Sequence, residues 1–217
     1  MEMIKDLAIM VMELADVDME IVVGEQYAYG HNPIGKLRPR LFIPEVRECN
    51  YKVLDLIEEL YGISIERSDI GDAIFAIAHE IGHYMETANK SKLARLIRDI
   101  KHAKHKAIVE CAYDEVNRQT LELKLKSQDF ANEVRDTLKL MQDCLDNNDY
   151  SNLSEIYRRQ EVESIKKAEM ERKAEIIQLR LHDCDLAYRL MPNEAFADKW
   201  AIEFIKANFP ELIVGRA

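Results

Sequence analysis

IVECAYDEVNRQTLELKLKSQDFANEVRDTLKLMQDCLDNNDYSNLSEIYRRQEVESIKKAEMERKAEIIQLRL, residues 108–181, contains no glycine and no proline. It is the middle of a longer tract, 84–191, that lacks both; Gly82 and Pro44 precede it, and Pro192 and Gly215 follow. Glycine and proline are the strongest local breakers of regular structure, so half a chain without them predicts long helices joined by turns built from other residues. An all-β or alternating βαβ reading is disfavoured. Leu93, Leu96, Ile100, Ala103, Ala107 and Cys111 keep the spacing of a helix-packing seam, as do Phe130, Val134, Leu138, Met141 and Leu145. DNNDYSNLSE (146–155) is the best turn, since Asn and Asp tolerate unusual backbone angles and Ser151 or Ser154 can cap the next helix. LELKLK at 121–126 alternates like a strand and, with Ser127, is a candidate break in the first arm. A straight 35-residue arm would reach about 50 Å, too long for a compact core of this size. The expectation is therefore a coiled-coil-like helical hairpin over 86–190, inserted into a small core made of 1–85 and 191–217.

The charges divide along the same line. The tract holds 20 Lys+Arg against 20 Asp+Glu and the remainder 10 against 20, so the net charge of −10 belongs to the flanks. An acidic total disfavours nucleic acid as the main partner. Lys90, Lys92, Arg95, Arg98, Lys101, Lys104 and Lys106 face only Asp99, but a solvated helix face is the usual meaning of such a run. The four cysteines form no CxxC, which fits a reducing compartment. The N-terminal apolar run of six residues is flanked by acids and reads as neither a signal peptide nor a membrane span, so a cytoplasmic protein is expected.

Outside the tract, Ile4, Leu7, Val11 and Leu14 predict a helix over 2–16. MEIVV (19–23) and RLFIP (40–44) are β-prone and could pair as a hairpin or small sheet. YKVLDLIEELY (51–61) predicts a helix stopped by Gly62, and another starts near Ser68 or Asp69. On that helix Ile70, Ile74, Ile77, Ala78, Ile81, Tyr84 and Met85 cluster on one side, with His79 and His83 nearly opposite. Pro192 opens a last helix over 193–209, ended by Pro210. The fold class is α+β, predominantly α: a few strands and an active-site helix, with the hairpin inserted.

His79, Glu80 and His83 form HEIGH within FAIAHEIGHYM (75–85). Histidines at i and i+4 stand one above the other on a helix, so both imidazoles can reach one Zn²⁺, while a Glu at i+1 lies beside the metal's water. Two solvent-facing or merely structural histidines are the plain alternative. Glu80 and His83 could also be the ExxH of a di-metal bundle, but that requires a second ExxH, and Asp99 to His102 is the nearest approximation. A catalytic zinc needs a third ligand. Glu194, with Asp198 one turn on, offers a carboxylate and an acceptor for the free N–H of a ligand histidine. Glu110, with Asp114 four residues on, offers the same spacing and is the alternative third ligand.

AHEIGHYM and NEAFADKWA together resemble the gluzincin branch of zinc metallopeptidases. NEAFAD is similar to the thermolysin-type third-ligand helix, and FAIAHEIGHYM resembles the active-site helix of small prokaryotic and phage metallopeptidases of the ImmA/IrrE kind. The likeness covers about 30 residues in two blocks. It implies a zincin-like core in which His79, His83 and Glu194 bind zinc, Glu80 is the general base and Asp198 supports a ligand histidine. The 111 positions from His83 to Glu194 exceed the spacing of compact members of that group, and an antiparallel hairpin would return the chain to close the gap.

The activity implied is zinc-dependent peptide-bond hydrolysis of a peptide or protein substrate, with a protein partner conceivable on the 86–190 helices. The rival is a helical interaction or regulatory protein whose metal site is structural or vestigial. Glu80 favours the enzyme, because a purely structural site has no use for it. His182, Tyr188, Tyr27, Tyr29 and His31 are candidate oxyanion donors, none of them singled out. RLFIP could offer an edge for an extended peptide to pair with.

Overall fold

The computed structural model describes residues 2–30, 38–45, 51–88, 90 and 92–215. It is α+β and predominantly α, as the sequence predicts. The elements are α1 (Glu2–Leu14), β1 (Glu20–Gly24), β2 (Ala28–Gly30), β3 (Arg40–Pro44), α2 (Tyr51–Tyr61), β4 (Ser64–Ile65), α3 (Asp69–Ala88), α4 (Lys92–Asn147), α5 (Leu153–Arg189), α6 (Pro192–Asn208) and β5 (Ile213–Val214), the last preceded by a 3₁₀ turn. They form two compact units, Met1–Lys106 with Asp185–Ala217, and Ala107–Cys184. The division falls inside α4 and α5 rather than at their ends. Among the described residues no helix is long and apolar enough to cross a membrane.

In the first unit, α3 is the central rod. Ile74, Phe75, Ile77, Ala78 and Ile81 are buried against Ile4, Ala8 and Val11 of α1, Leu41 and Ile43 of β3, Leu54 and Ile57 of α2, and Ala201, Ile202 and Ile205 of α6. Each such aliphatic side chain contributes about 1.5–3 kcal/mol by leaving water. Ile70 alone of the expected stripe is exposed, because it lies in the first turn, beyond the core. Helix ends follow local chemistry. Ser68 caps α3, its Oγ accepting from Gly71 N–H at 3.1 Å. Gly62 ends α2 at φ 68°, the left-handed region that costs glycine nothing. Asp16 at φ 53° closes α1, with Val17 N–H donating to Met12 O.

MEIVV and RLFIP do pair, but as parallel β1 and β3, Ile21 opposite Leu41, and not as a hairpin. β2 pairs antiparallel with β3 on its other side, giving the order β1-β3-β2. RLFIP is therefore the central strand, and the edge expected of it belongs to β2 and β1. Leu41 and Ile43 are fully buried, as a central strand under a helix requires.

The second unit is an antiparallel helical hairpin. α4 is continuous through LELKLK, so the strand-like alternation breaks nothing. Leu, Glu and Lys are strong helix formers, no breaker interrupts them, and Leu123 joins Val116, Ile177 and Cys184 in the inter-helix cluster. Cross-links fall symmetrically about the turn: Arg180 to Gln119 at 2.9 Å, Lys166 to Glu133, and the Thr137 hydroxyl to Glu163. At the turn Asn148 takes φ 49° and Asp149 Oδ1 accepts the Ser151 N–H, leaving the Asn152 carbonyl to accept the first α5 bond, from Ile156 N–H.

Candidate metal centre

α3 and α6 cross where neither has bulk. A Cβ on Gly82 would meet Ala197 Cα at 2.8 Å and Ala197 O at 3.0 Å, so the two backbones touch at this point. Glu194, Ala197, Asp198, Ala201, Ile202 and Ile205 form the buried stripe of α6, which places two carboxylates against the histidine side of α3. His79, Glu194 and Asp198 are 6%, 5% and 0% exposed, so the histidine side of α3, opposite its apolar stripe, packs against another segment. Ionisable groups this deep must be paired or bind a cation.

The atoms converge on one point. His79 Nε2 lies 3.1 Å from His83 Nε2 and 3.2 Å from Glu194 Oε2, and His83 Nε2 lies 3.6 Å from Glu194 Oε1. Ligands about 2.0–2.1 Å from a tetrahedral ion stand about 3.3–3.4 Å apart, so these separations match a single ion. Among the described residues, His79, His83 and Glu194 form a group that could hold a metal. His79 Nδ1 is 2.8 Å from Asp198 Oδ1, close but off the line of a hydrogen bond, and Asp198 Oδ2 is buried without a partner. Asn193 Nδ2 donates to Glu194 Oε1 at 2.9 Å and helps fix that carboxylate.

The charges explain the electrostatics. Burial works to lower the His79 pKa, but the Asp198 and Glu194 carboxylates outweigh it and hold the imidazolium up to about 9. Burial pushes Glu194 the other way, yet the two histidines keep its carboxyl well below the usual range. In this anionic pocket a proton on His79 does part of what a cation would do.

One cation was missed by sequence reasoning. Arg189 is buried, its Nη2 donating to Asp198 Oδ1 at 2.6 Å and its Nη1 lying 3.8 Å from Glu194 Oε2, with the guanidinium 5.9 Å from the Phe75 ring. A lone Arg in the last turn of a helix usually answers the helix dipole, so nothing in the sequence marked it. Tyr61 was also missed. Burial and then the Asp198 charge push its phenol up to about 12.

The site opens into a cavity of about 1060 Å³ lined by Tyr27 and Ala28, by Glu80 and His83 of α3, and by Tyr188 and Glu194. Glu80 is thus in the same space as the ligand atoms. Tyr188 is held neutral, up to about 12, by burial and by the charges of Glu194 and Glu80. Arg98, His102 and Lys106 of α4 line it too, Arg98 reaching buried Glu86, which also holds Lys90 at 2.7 Å. Of the expected site residues, His79, His83, Glu194, Asp198 and Glu80 come together. Glu110 is exposed on α4, belongs to the other compact unit and is not in the group. Of the candidate oxyanion donors, Tyr27 and Tyr188 line the cavity, His182 belongs to the hairpin unit, and His31 lies outside the described residues.

No protein-family model matches this chain, and no curated protein or solved structure matches it.

Proposed function

We propose that this chain is a zinc-dependent peptidase. The observation that carries the reading is Glu80, a carboxylate one residue from ligand His79, facing the same cavity as the His79, His83 and Glu194 ligand atoms. A structural ion needs four closed ligands, whereas three protein ligands beside an open cavity and a free carboxylate suit water activation. Two imidazoles and one carboxylate are a donor set that suits zinc.

A zinc ion there would supply a Lewis acid for the scissile carbonyl and make water acidic enough to lose a proton near neutral pH. The chain's own residues do the rest. Glu80 accepts the proton of the attacking water and delivers it to the departing amine nitrogen, so one carboxylate serves as base and then acid. Arg189 holds the Asp198 carboxylate beside His79 Nδ1, and Asn193 fixes the Glu194 carboxylate. Tyr188, kept neutral in the cavity wall, is a hydroxyl that could donate to a developing oxyanion. An extended substrate would pair with edge strand β2, whose Ala28 lines the cavity.

The test joins metal analysis to cleavage of a complex peptide mixture read by mass spectrometry. Wild type is expected to hold about one zinc per chain and to cleave; His79→Ala and Glu194→Ala lose the metal, and Glu110→Ala keeps it. Glu80→Gln should retain zinc with cleavage reduced by about 100-fold or more. Cleavage at the wild-type rate by Glu80→Gln would remove the general base, and zinc without cleavage by wild type would leave a structural site in an interaction protein.

A further inference from the structure

The outer face of α5 is built to be covered. Within the hairpin unit Ile156, Ile177 and Cys184 of α5 turn towards α4 and are buried. On the opposite side runs a second stripe with an eleven-residue repeat: Tyr157, Ala168 and Leu179; Ile165 and Ile176; Glu161 and Arg172. Every one of these residues is exposed. Eleven residues make three turns at 3.67 residues each, close to the natural helix, so the stripe stays on one face for about 33 Å. Its large apolar members are 68% (Tyr157), 56% (Ile165), 45% (Ile176) and 66% (Leu179) exposed. The exposed leucines of α4 form no such line, since the thirteen residues from Leu125 to Leu138 turn the helix well away from its starting face.

We propose that this stripe is a self-association surface whose occupant is the α5 of a second copy, packed antiparallel about a two-fold axis between residues 166 and 167. The charge pattern selects that partner and that direction. With Ile165 opposite Ala168 of the other copy, Tyr157 meets Ile176 and Glu161 meets Arg172, and the two-fold repeats each pair. A parallel register instead sets Glu161 on Glu161 and Arg172 on Arg172, which like-charge repulsion disfavours. Neither residue has an ion-pair partner among the described residues of its own chain, although neighbouring Arg158, Arg159, Lys166 and Lys167 all do. The pairing therefore uses two charges that the hairpin leaves unspent and covers the exposed apolar stripe of α5.

Sedimentation velocity of the full chain over a concentration series tests this. Wild type should dimerise reversibly. Glu161→Arg alone, or Arg172→Glu alone, creates two like-charge contacts and should weaken the dimer at least about tenfold, while Ile165→Asp should leave only monomer. The double variant Glu161→Arg/Arg172→Glu restores both pairs and should recover most of the wild-type affinity, a result that misfolding cannot give. A monomeric wild type at the highest soluble concentration overturns the proposal, as does a double variant no better than the single ones. A dimer untouched by Ile165→Asp places the interface elsewhere and also overturns it.

Discussion

Glu194 and Asp198 occupy positions on α6 that a core helix ordinarily gives to Leu or Ile, four residues apart on the stripe that continues through Ala201 and Ile205. Burying two carboxylates there is tolerable only because Arg189 and His79 supply positive charge within reach. Arg189→Met should therefore destabilise the metal-free protein by about 3–5 kcal/mol, because it leaves a carboxylate that is 0% exposed with only His79 to balance it. Urea unfolding in the presence of a chelator measures this, and a loss under about 1 kcal/mol would mean that the His79 imidazolium alone balances Asp198. The five acting side chains were legible in the sequence because each relation lies within one helix: His79 to His83 and Glu194 to Asp198 are both one turn apart. Arg189 and Tyr61 were not legible. Each joins the site only through the three-dimensional meeting of separate segments, and nothing in its neighbours marks it as buried.

At the scale of elements, the crossing of α3 and α6 decides the site. Gly82 lies between the two ligand histidines in sequence, and its missing side chain is the space that the Ala197 backbone fills. Gly82→Ala is expected to cost about 1–3 kcal/mol by overpacking. It should also weaken metal binding, because α6 must shift and carry Glu194 with it. Calorimetric titration of zinc into the two proteins compares them, and equal affinity would show that α6 absorbs the change without moving its carboxylate. Ala197→Gly offers no rescue, since the clash is with Ala197 backbone atoms. Helix identity was readable from spacing and from the lack of breakers, but strand partnership was not. RLFIP and MEIVV are equally β-prone whether they pair parallel or antiparallel, and the short β2 between them, only three residues long, has no pattern of its own. LELKLK misled for a related reason: alternation favours a strand only where a sheet edge is present to receive it.

At the scale of the whole molecule, the two halves of the metal site flank the hairpin in sequence, so the chain leaves α3 beside His83 and does not supply Glu194 until 111 residues later. The tract without glycine or proline foretold long helices and their turn. The symmetric register of the arms was beyond it, because polar links such as Lys166 to Glu133 depend on which faces meet. Zinc at a hundred times its dissociation constant should stabilise the native protein by about 2.7 kcal/mol. A rise in melting temperature that a chelator reverses, and that His79→Ala lacks, is the expected result. In polymer terms an ion held by His83 and Glu194 would tie a very long loop shut in the native state. Unlike a disulfide, such a tie would be undone by lowering the concentration of one ion, so metal supply itself would set how firmly the chain is closed.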